Sequence, residues 1–240
     1  MTPVLCIIPA RISSSRFPGK PLVSLRGRPM ILRTMDRARA AGCFKDIACA
    51  TDSEKIASVV ESAGYRAVMT GECATGSDRV YEAAEKLGWD LVVNLQGDEP
   101  VADVRMIRDV ALALAAEPDS WVTAYSPLLE SDIPDMTVVK VKVERGYATA
   151  FCRRIQGPAA DWNVHRGIYA YSRAAREEFH SLPQSAEEKQ FSLEQLRILG
   201  KRPIRVIEST EHSMSVDVPQ DVAKMENLIQ GQDKYKTVEK

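Results

Sequence analysis

Three cations are spaced along one short loop near the start of the chain: Arg11, Arg16 and Lys20, within the segment PARISSSRFPGKPL that runs from Pro9 to Leu22. With Ser13, Ser14, Ser15 and Gly19 among them, the loop offers fixed positive charge, hydroxyls and backbone N–H donors, the combination that holds polyanionic phosphate. A nucleoside triphosphate is the expected occupant. Two common phosphate loops are excluded, because Lys20 is followed by Pro21 rather than Ser or Thr and the segment contains no GxGxxG. The plain alternative is a solvated loop with ordinary surface cations.

Carboxylates supply a second kind of chemistry. Asp98 and Glu99 fall in QGDEP, and Asp217 falls in SVDVPQD. Taken singly, Asp98 reads as a turn residue and Asp217 as a helix N-cap. Taken together and beside a phosphate loop, Asp98 and Asp217 suit one magnesium ion, which takes one or two protein carboxylates and completes its shell with phosphate and water. His165 lies in the strand-like HRGIYAY with no Cys or acid at ligand spacing, so by itself it reads as a packed, hydrogen-bonded histidine. Glu194 and Gln195 sit in LEQLR between Leu193 and Leu196, on an expected helix whose polar side would face solvent.

These residues need a frame. Val4, Leu5, Ile7 and Ile8 form an apolar run typical of a buried strand, and it empties into the cationic loop. Pro29 and Gly42 bracket an amphipathic helix carrying Ile31, Leu32, Met35 and Ala38. Strands are then expected at 47–50, 67–69 and 90–95, with helices closed by Gly64 and Gly88 between them. Such alternation predicts a parallel sheet covered by helices on both faces, with ligands at the carboxyl ends of its strands. The polar segments PARISSSRFPGK, ATD and QGDEP fall at those ends. In the second half, VVKVKVE over 138–144 alternates apolar and charged residues, which suggests a half-exposed edge strand. The whole reads as one domain over 1–230 with an inserted flap at roughly 127–190, followed by a loose tail over 231–240.

Bulk properties exclude several classes. In 240 residues, 32 Lys and Arg balance 33 Asp and Glu, so no global charge favours nucleic acid or a membrane surface as partner. The five cysteines are scattered without a C-x-x-C pair and read as reduced thiols of a cytoplasmic protein. No export signal is expected, and no stretch approaches the roughly 18 apolar residues of a membrane span.

The segments PARISSSRFPGKPL, ATD, ATGSDR, LQGDEP, HRGIYAY, LEQLR and VDVPQD, in this order over nearly the whole chain, resemble the CMP-sugar synthetases that activate 3-deoxy-manno-octulosonate (Kdo). The resemblance implies an α/β nucleotidyltransferase fold, a Rossmann-like three-layer sandwich with a mostly parallel central sheet and a small dimerisation flap. It implies transfer of CMP from CTP to the anomeric hydroxyl of an acidic sugar, with release of pyrophosphate. Carried over by position, it puts Arg11 and Lys20 on the triphosphate with Arg16 as a third cation, and makes Arg11, Lys20 and Asp98 catalytic. Thr75, Gly76 and Ser77 would line the nucleotide pocket. Arg79, Gln96, His165, Tyr169, Glu194 and Gln195 would meet the acceptor, and Asp98 with Asp217 would hold magnesium. A homodimer is also implied.

The chain departs from that pattern on the acceptor side. It has Cys73, Ala74, Thr75, Gly76 and Ser77 where HQSGT is usual, closer to the variant that uses an 8-amino form of Kdo; Cys152 replaces a serine, the stretch from Arg153 to His165 is short, and Phe191 stands where an acid is common. Another 2-keto acid sugar or a phosphonate therefore stays open as acceptor. The rivals are a catalytically silent nucleotide-binding protein and an enzyme acting on a sugar 1-phosphate.

Overall fold

The computed structural model describes residues 2–13, 16–210 and 214–236. The chain begins with β1 (Val4–Ala10), the two-residue strands β2 (Ser24–Leu25) and β3 (Arg28–Pro29), and α1 (Met30–Ala41), which Gly42 ends in the left-handed conformation at φ 65°. There follow β4 (Asp46–Thr51), α2 (Glu54–Ser62), β5 (Arg66–Met69), α3 (Gly76–Leu87), β6 (Leu91–Leu95) and α4 (Val104–Ala116). The second half contains β7 (Trp121–Pro127), β8 (Lys140–Glu144), β9 (Tyr147–Cys152), β10 (Trp162–Ser172), α5 (Arg173–Ser181), α6 (Ala186–Phe191), β11 (Ile204–Glu208) and α7 (Asp221–Lys236).

Strands β5, β4, β1 and β6 pair in parallel in that order, as the alternation predicts. Alternate residues of β1 enter different cores. Val4, Cys6 and Ile8 pack with α1 and α4, whereas Leu5 and Ile7 pack with α3 and α5. Burial on both faces explains why β1 reads as an unbroken apolar run.

The expectation of a mostly parallel sheet does not survive past β6. Strand β10 runs antiparallel to β6, β7 and β8, and β9 runs antiparallel to β8 and β11. The order β10, β7, β11, β9, β8 returns to β10, so the nine-stranded sheet is mixed and closes on itself at this end. Strand β8 is consequently not an edge. It is paired on both sides, and its Lys140 is fully buried, with Nζ donating to the carbonyls of Asp135 and Arg153. A lysine reads as an exposure signal because its charge is costly to bury, but two backbone acceptors compensate here.

Two further expectations change. The segment LEQLR is a short 3-10 turn over Glu194–Arg197, set off from α6 by Ser192 in the left-handed region at φ 52°. Instead of a loose tail from 231, α7 continues to Lys236, and residues 237–240 lie outside those described. A third apolar cluster, with Leu25, Met30, Val216 and Met225, docks α7 against the β2–β3 hairpin and so carries Asp217 back to the first loop.

Candidate active site

The carboxyl ends of β1 and β6 open into a cleft of about 490 Å³. Its floor depends on Gly97. A Cβ there would lie 2.7 Å from the carbonyl of Pro9, so only glycine lets the β6 loop lie against the end of β1. This approach brings Gln96 and Asp98 beside Arg11, Arg16 and Lys20, and all five line the cleft.

Lys20 is the centre of the charged wall. Its Nζ donates to Asp98 Oδ2 at 2.7 Å and to the Val216 carbonyl at 2.9 Å, and lies 3.8 Å from Asp217 Oδ1. Arg16 Nη2 reaches the same Asp217 oxygen at 3.1 Å. The two acids come from segments far apart in sequence, Asp98 from the loop after β6 and Asp217 from the segment that leads into α7. Val216 N–H donates to the Asp98 carbonyl at 3.1 Å and clasps them together, while Asp221 accepts from the backbone N–H groups of Asp217 and Val218 at the start of α7. Arg11 is exposed at the mouth.

The opposite wall is built around the N-terminus of α3. Thr75 caps the helix and Asp78 returns the bond in a capping box, which explains ATGSD as local chemistry. Thr75 and Gly76 face the cleft. Ser77 is buried and gives both its hydroxyl and its backbone N–H to Glu194, which also lines the cleft. Burial pushes the Glu194 carboxyl above its ordinary range, and the two Ser77 donors oppose that shift.

Behind Glu194, Tyr169 donates its hydroxyl to Gln195 Oε1 at 3.2 Å, and burial pushes the phenol upward. Gln195 is buried, and its Nε2 has no hydrogen-bond partner among the described residues. His165 does not line the cleft. It packs between Phe151 and Tyr169, and its Nε2 lies 2.9 Å from Thr123 Oγ1. Since the Thr123 hydroxyl has one proton and sits 2.7 Å from the Ile168 carbonyl, the histidine Nε2–H is the donor to Thr123. Burial, with Arg166 nearby, pushes the imidazole down to about 3, so it is neutral. In this structure the packed, hydrogen-bonded reading describes His165.

Arg79 is placed differently from a free carboxylate receptor. It lines the cleft, but its guanidinium is buried and bonded to Asp52 Oδ2 at 2.7 Å, to Thr70 and to the Gly71 carbonyl. The ATD segment thus contributes Asp52 as its partner. The solvated-face reading of 194–195 is corrected, since both residues turn inward.

Sequence reasoning missed the buried pair of Glu188 and Arg197, in which Arg197 Nε donates at 2.9 Å and the guanidinium lies over Phe179. This pair anchors α6 to the 3-10 turn and so fixes the wall that carries Glu194. The only sequence signal was a surplus of charge in a short segment, which ordinarily means solvent. Among the described residues no three His, Cys, Asp or Glu side chains converge as a metal cluster.

Comparison with known proteins now bears on this site. Residues 5–209 match the cytidylyltransferase family. A 3-deoxy-manno-octulosonate cytidylyltransferase from Desulfatibacillum aliphaticivorans is 40% identical over 243 residues, covering 95% of this chain and 99% of the relative. An 8-amino-3,8-dideoxy-manno-octulosonate cytidylyltransferase from Shewanella sp. (strain ANA-3) is 38% identical over 240 residues, covering 94% and 98%. A solved CMP:2-keto-3-deoxy-manno-octonic acid synthetase complexed with CTP superimposes with a TM-score of 0.91 at 32% identity, covering 96% of this chain and all of that one.

Proposed function

The chain belongs to the cytidylyltransferase family, and from that premise we propose that it transfers CMP from CTP to the anomeric hydroxyl of a Kdo-like acidic sugar. The observation that carries this reading is the juxtaposition of two unlike walls in one cleft. One presents Arg11, Arg16 and Lys20 with Asp98, which Lys20 also ties to Asp217, and the other presents Glu194, behind which the buried Gln195 Nε2 has no partner among the described residues.

In this reading Arg11, Arg16 and Lys20 hold the triphosphate and spread the charge of the departing pyrophosphate. The N-terminal turn of α3, at Thr75 and Gly76, borders the nucleotide. Gln96, Glu194 and the free Nε2 of Gln195 orient the acceptor, with Tyr169 fixing the Gln195 amide and His165 supporting Tyr169 from below. The acceptor hydroxyl oxygen attacks the α-phosphorus and gives up its proton to water, the bond from the α-phosphorus to the oxygen it shares with the β-phosphate breaks, and pyrophosphate leaves. No covalent enzyme intermediate is needed, so alignment is the main contribution of the protein.

Asp98 and Asp217 would hold a magnesium ion. The fit is one of donor chemistry: two carboxylates gathered on one ammonium form an oxygen-only pair, and a hard cation there would complete its shell with phosphate and water. When bound, magnesium supplies charge neutralisation at the phosphates.

The exposed side chains of Ile133 and Met136, beside Pro134, Arg154 and Ile155, form a hollow that we assign to a homodimer contact. The free cysteines fit a cytoplasmic setting. No helix among the described residues is long and apolar enough to cross a membrane.

Pyrophosphate release measured with each of the four nucleoside triphosphates, against Kdo, 8-amino-Kdo, other 2-keto acid sugars, a phosphonate and a sugar 1-phosphate, tests the proposal. Release with CTP and a 2-keto acid sugar is expected. Release only with a sugar 1-phosphate, or none with any acceptor, overturns it.

A further inference from the structure

The ammonium of Lys20 sits between the two acids that would ligate a cation. It contacts Asp98 Oδ2 at 2.7 Å, approaches Asp217 Oδ1 to 3.8 Å and donates to the Val216 carbonyl at 2.9 Å. Its surroundings are fixed. Val216 is fully buried beneath α7, and its N–H is bonded to the Asp98 carbonyl. The lysine side chain is only 15% exposed. It leaves the backbone from a 3-10 turn preceded by Gly19 at φ 72°, so its point of origin is set as well. Arg16, by contrast, has a side chain 65% exposed and pairs with Asp217.

An ammonium and a divalent ion cannot share this space, because like charges a few ångströms apart repel in a partly desolvated cleft. Moving Lys20 aside with nothing to receive it would break a charge-assisted pair and leave a half-buried cation unpartnered. A triphosphate is a substitute acceptor for that ammonium. We propose that Lys20 is an internal counter-ion that reserves the Asp98–Asp217 pair until a triphosphate draws its ammonium away, so that the carboxylates take a divalent cation with the nucleotide and not before it. This deepens, and rests on, the reading of Asp98 and Asp217 as cation ligands. It gives Lys20 two successive partners. In the free enzyme it keeps the two acids together against their mutual repulsion, and in the loaded enzyme it binds phosphate.

Binding of Mn²⁺ to the full chain, followed by electron paramagnetic resonance of the free ion and by thermal melting, tests the order. Without nucleotide the wild-type protein is expected to bind Mn²⁺ weakly and to melt at a temperature that Mn²⁺ does not move. Lys20→Met is expected to bind Mn²⁺ about tenfold more tightly than wild type and to melt higher in its presence. A non-hydrolysable CTP analogue is expected to tighten Mn²⁺ binding to wild type by a larger factor than to Lys20→Met, since in the variant it adds phosphate ligands but displaces no ammonium. Asp98→Asn and Asp217→Asn, measured with the analogue, separate the two levels of inference. If they weaken Mn²⁺ binding while Lys20→Met binds it no more tightly than wild type without nucleotide, the counter-ion role is overturned and the carboxylate reading stands. If they leave Mn²⁺ binding unchanged, the carboxylate reading itself fails. Lys20→Gln, which keeps a polar end, is the second variant if the melting curve of Lys20→Met lacks a cooperative transition.

Discussion

The two walls of the cleft obey different rules. The wall of Arg11, Arg16, Lys20, Asp98 and Asp217 is charged, partly exposed and built from the loops after β1 and β6 and the segment before α7, and its charges answer one another across short distances. The other wall presents Glu194, backed by the buried or half-buried Ser77, Gln195, Tyr169 and His165, and burial rather than pairing controls its titrating groups. A polyanion needs cations that are already near water and can exchange partners. A sugar acid with several hydroxyls needs fixed donors and acceptors, and a low-dielectric setting gives those directional value. On the proposed function, selectivity for the acceptor would reside in the buried wall.

Four changes break or sharpen this contrast. The largest effect is expected from Asp98→Asn, which removes a charge from the wall of ion pairs. Turnover should fall by about 10³-fold in a protein that still melts cooperatively, as measured by pyrophosphate release and calorimetry. Wild-type-like turnover would end the distinction between the walls at its root.

Gly97→Ala acts on the seam instead. Its new Cβ meets the Pro9 backbone at 2.7 Å, so both the stability and the use of either substrate should suffer. A loss of about 1–3 kcal/mol is expected from denaturant titration. A loss confined to one substrate would show that the seam belongs to one wall.

Glu194→Gln keeps the shape and removes the charge that Ser77 holds. The KM for the acceptor should rise by about tenfold while that for CTP changes little, because a hydrogen bond to a charged group is weakened on one wall only. Equal changes in both constants would deny that the walls act separately.

Near neutral pH the smallest change is in the dependence of stability on pH. His165 is neutral when folded because its imidazole is pushed down to about 3, whereas an unfolded histidine takes a proton near 6.5. The unfolded chain therefore binds more protons between these values, and stability should fall as pH drops through that window, by at most about 1.4 kcal/mol per unit. His165→Gln should flatten the slope in calorimetric scans. Glu194 contributes with the opposite sign, since its raised folded value stabilises at low pH and is lost as pH rises through it.

Much of the charged wall was legible in the linear chain, because Arg11, Arg16, Lys20 and Asp98 follow the parallel strands β1 and β6, whose apolar runs are local and continuous. β1 could be read from Val4, Leu5, Ile7 and Ile8, and its loop follows directly. The other wall was less legible. VVKVKVE looked like an edge, yet β8 is paired on both sides and Lys140 is satisfied by carbonyls from two separate segments. LEQLR looked like the exposed side of a helix, yet Ser192 turns the backbone and Glu194 reaches Ser77. The resemblance supplied the list of contact residues there, but not the arrangement in which His165 supports Tyr169 from beneath.

The sequence by itself determined the parallel βα frame, the cationic loop and the two acids, because periodicity and turn chemistry act over a few residues. Only the tertiary structure decided that Lys20 lies between Asp98 and Asp217, that the far end of the sheet closes on itself, and that Arg79 is already paired. Those outcomes depend on contacts between segments as much as 200 residues apart, where the composition of each segment leaves its partner open.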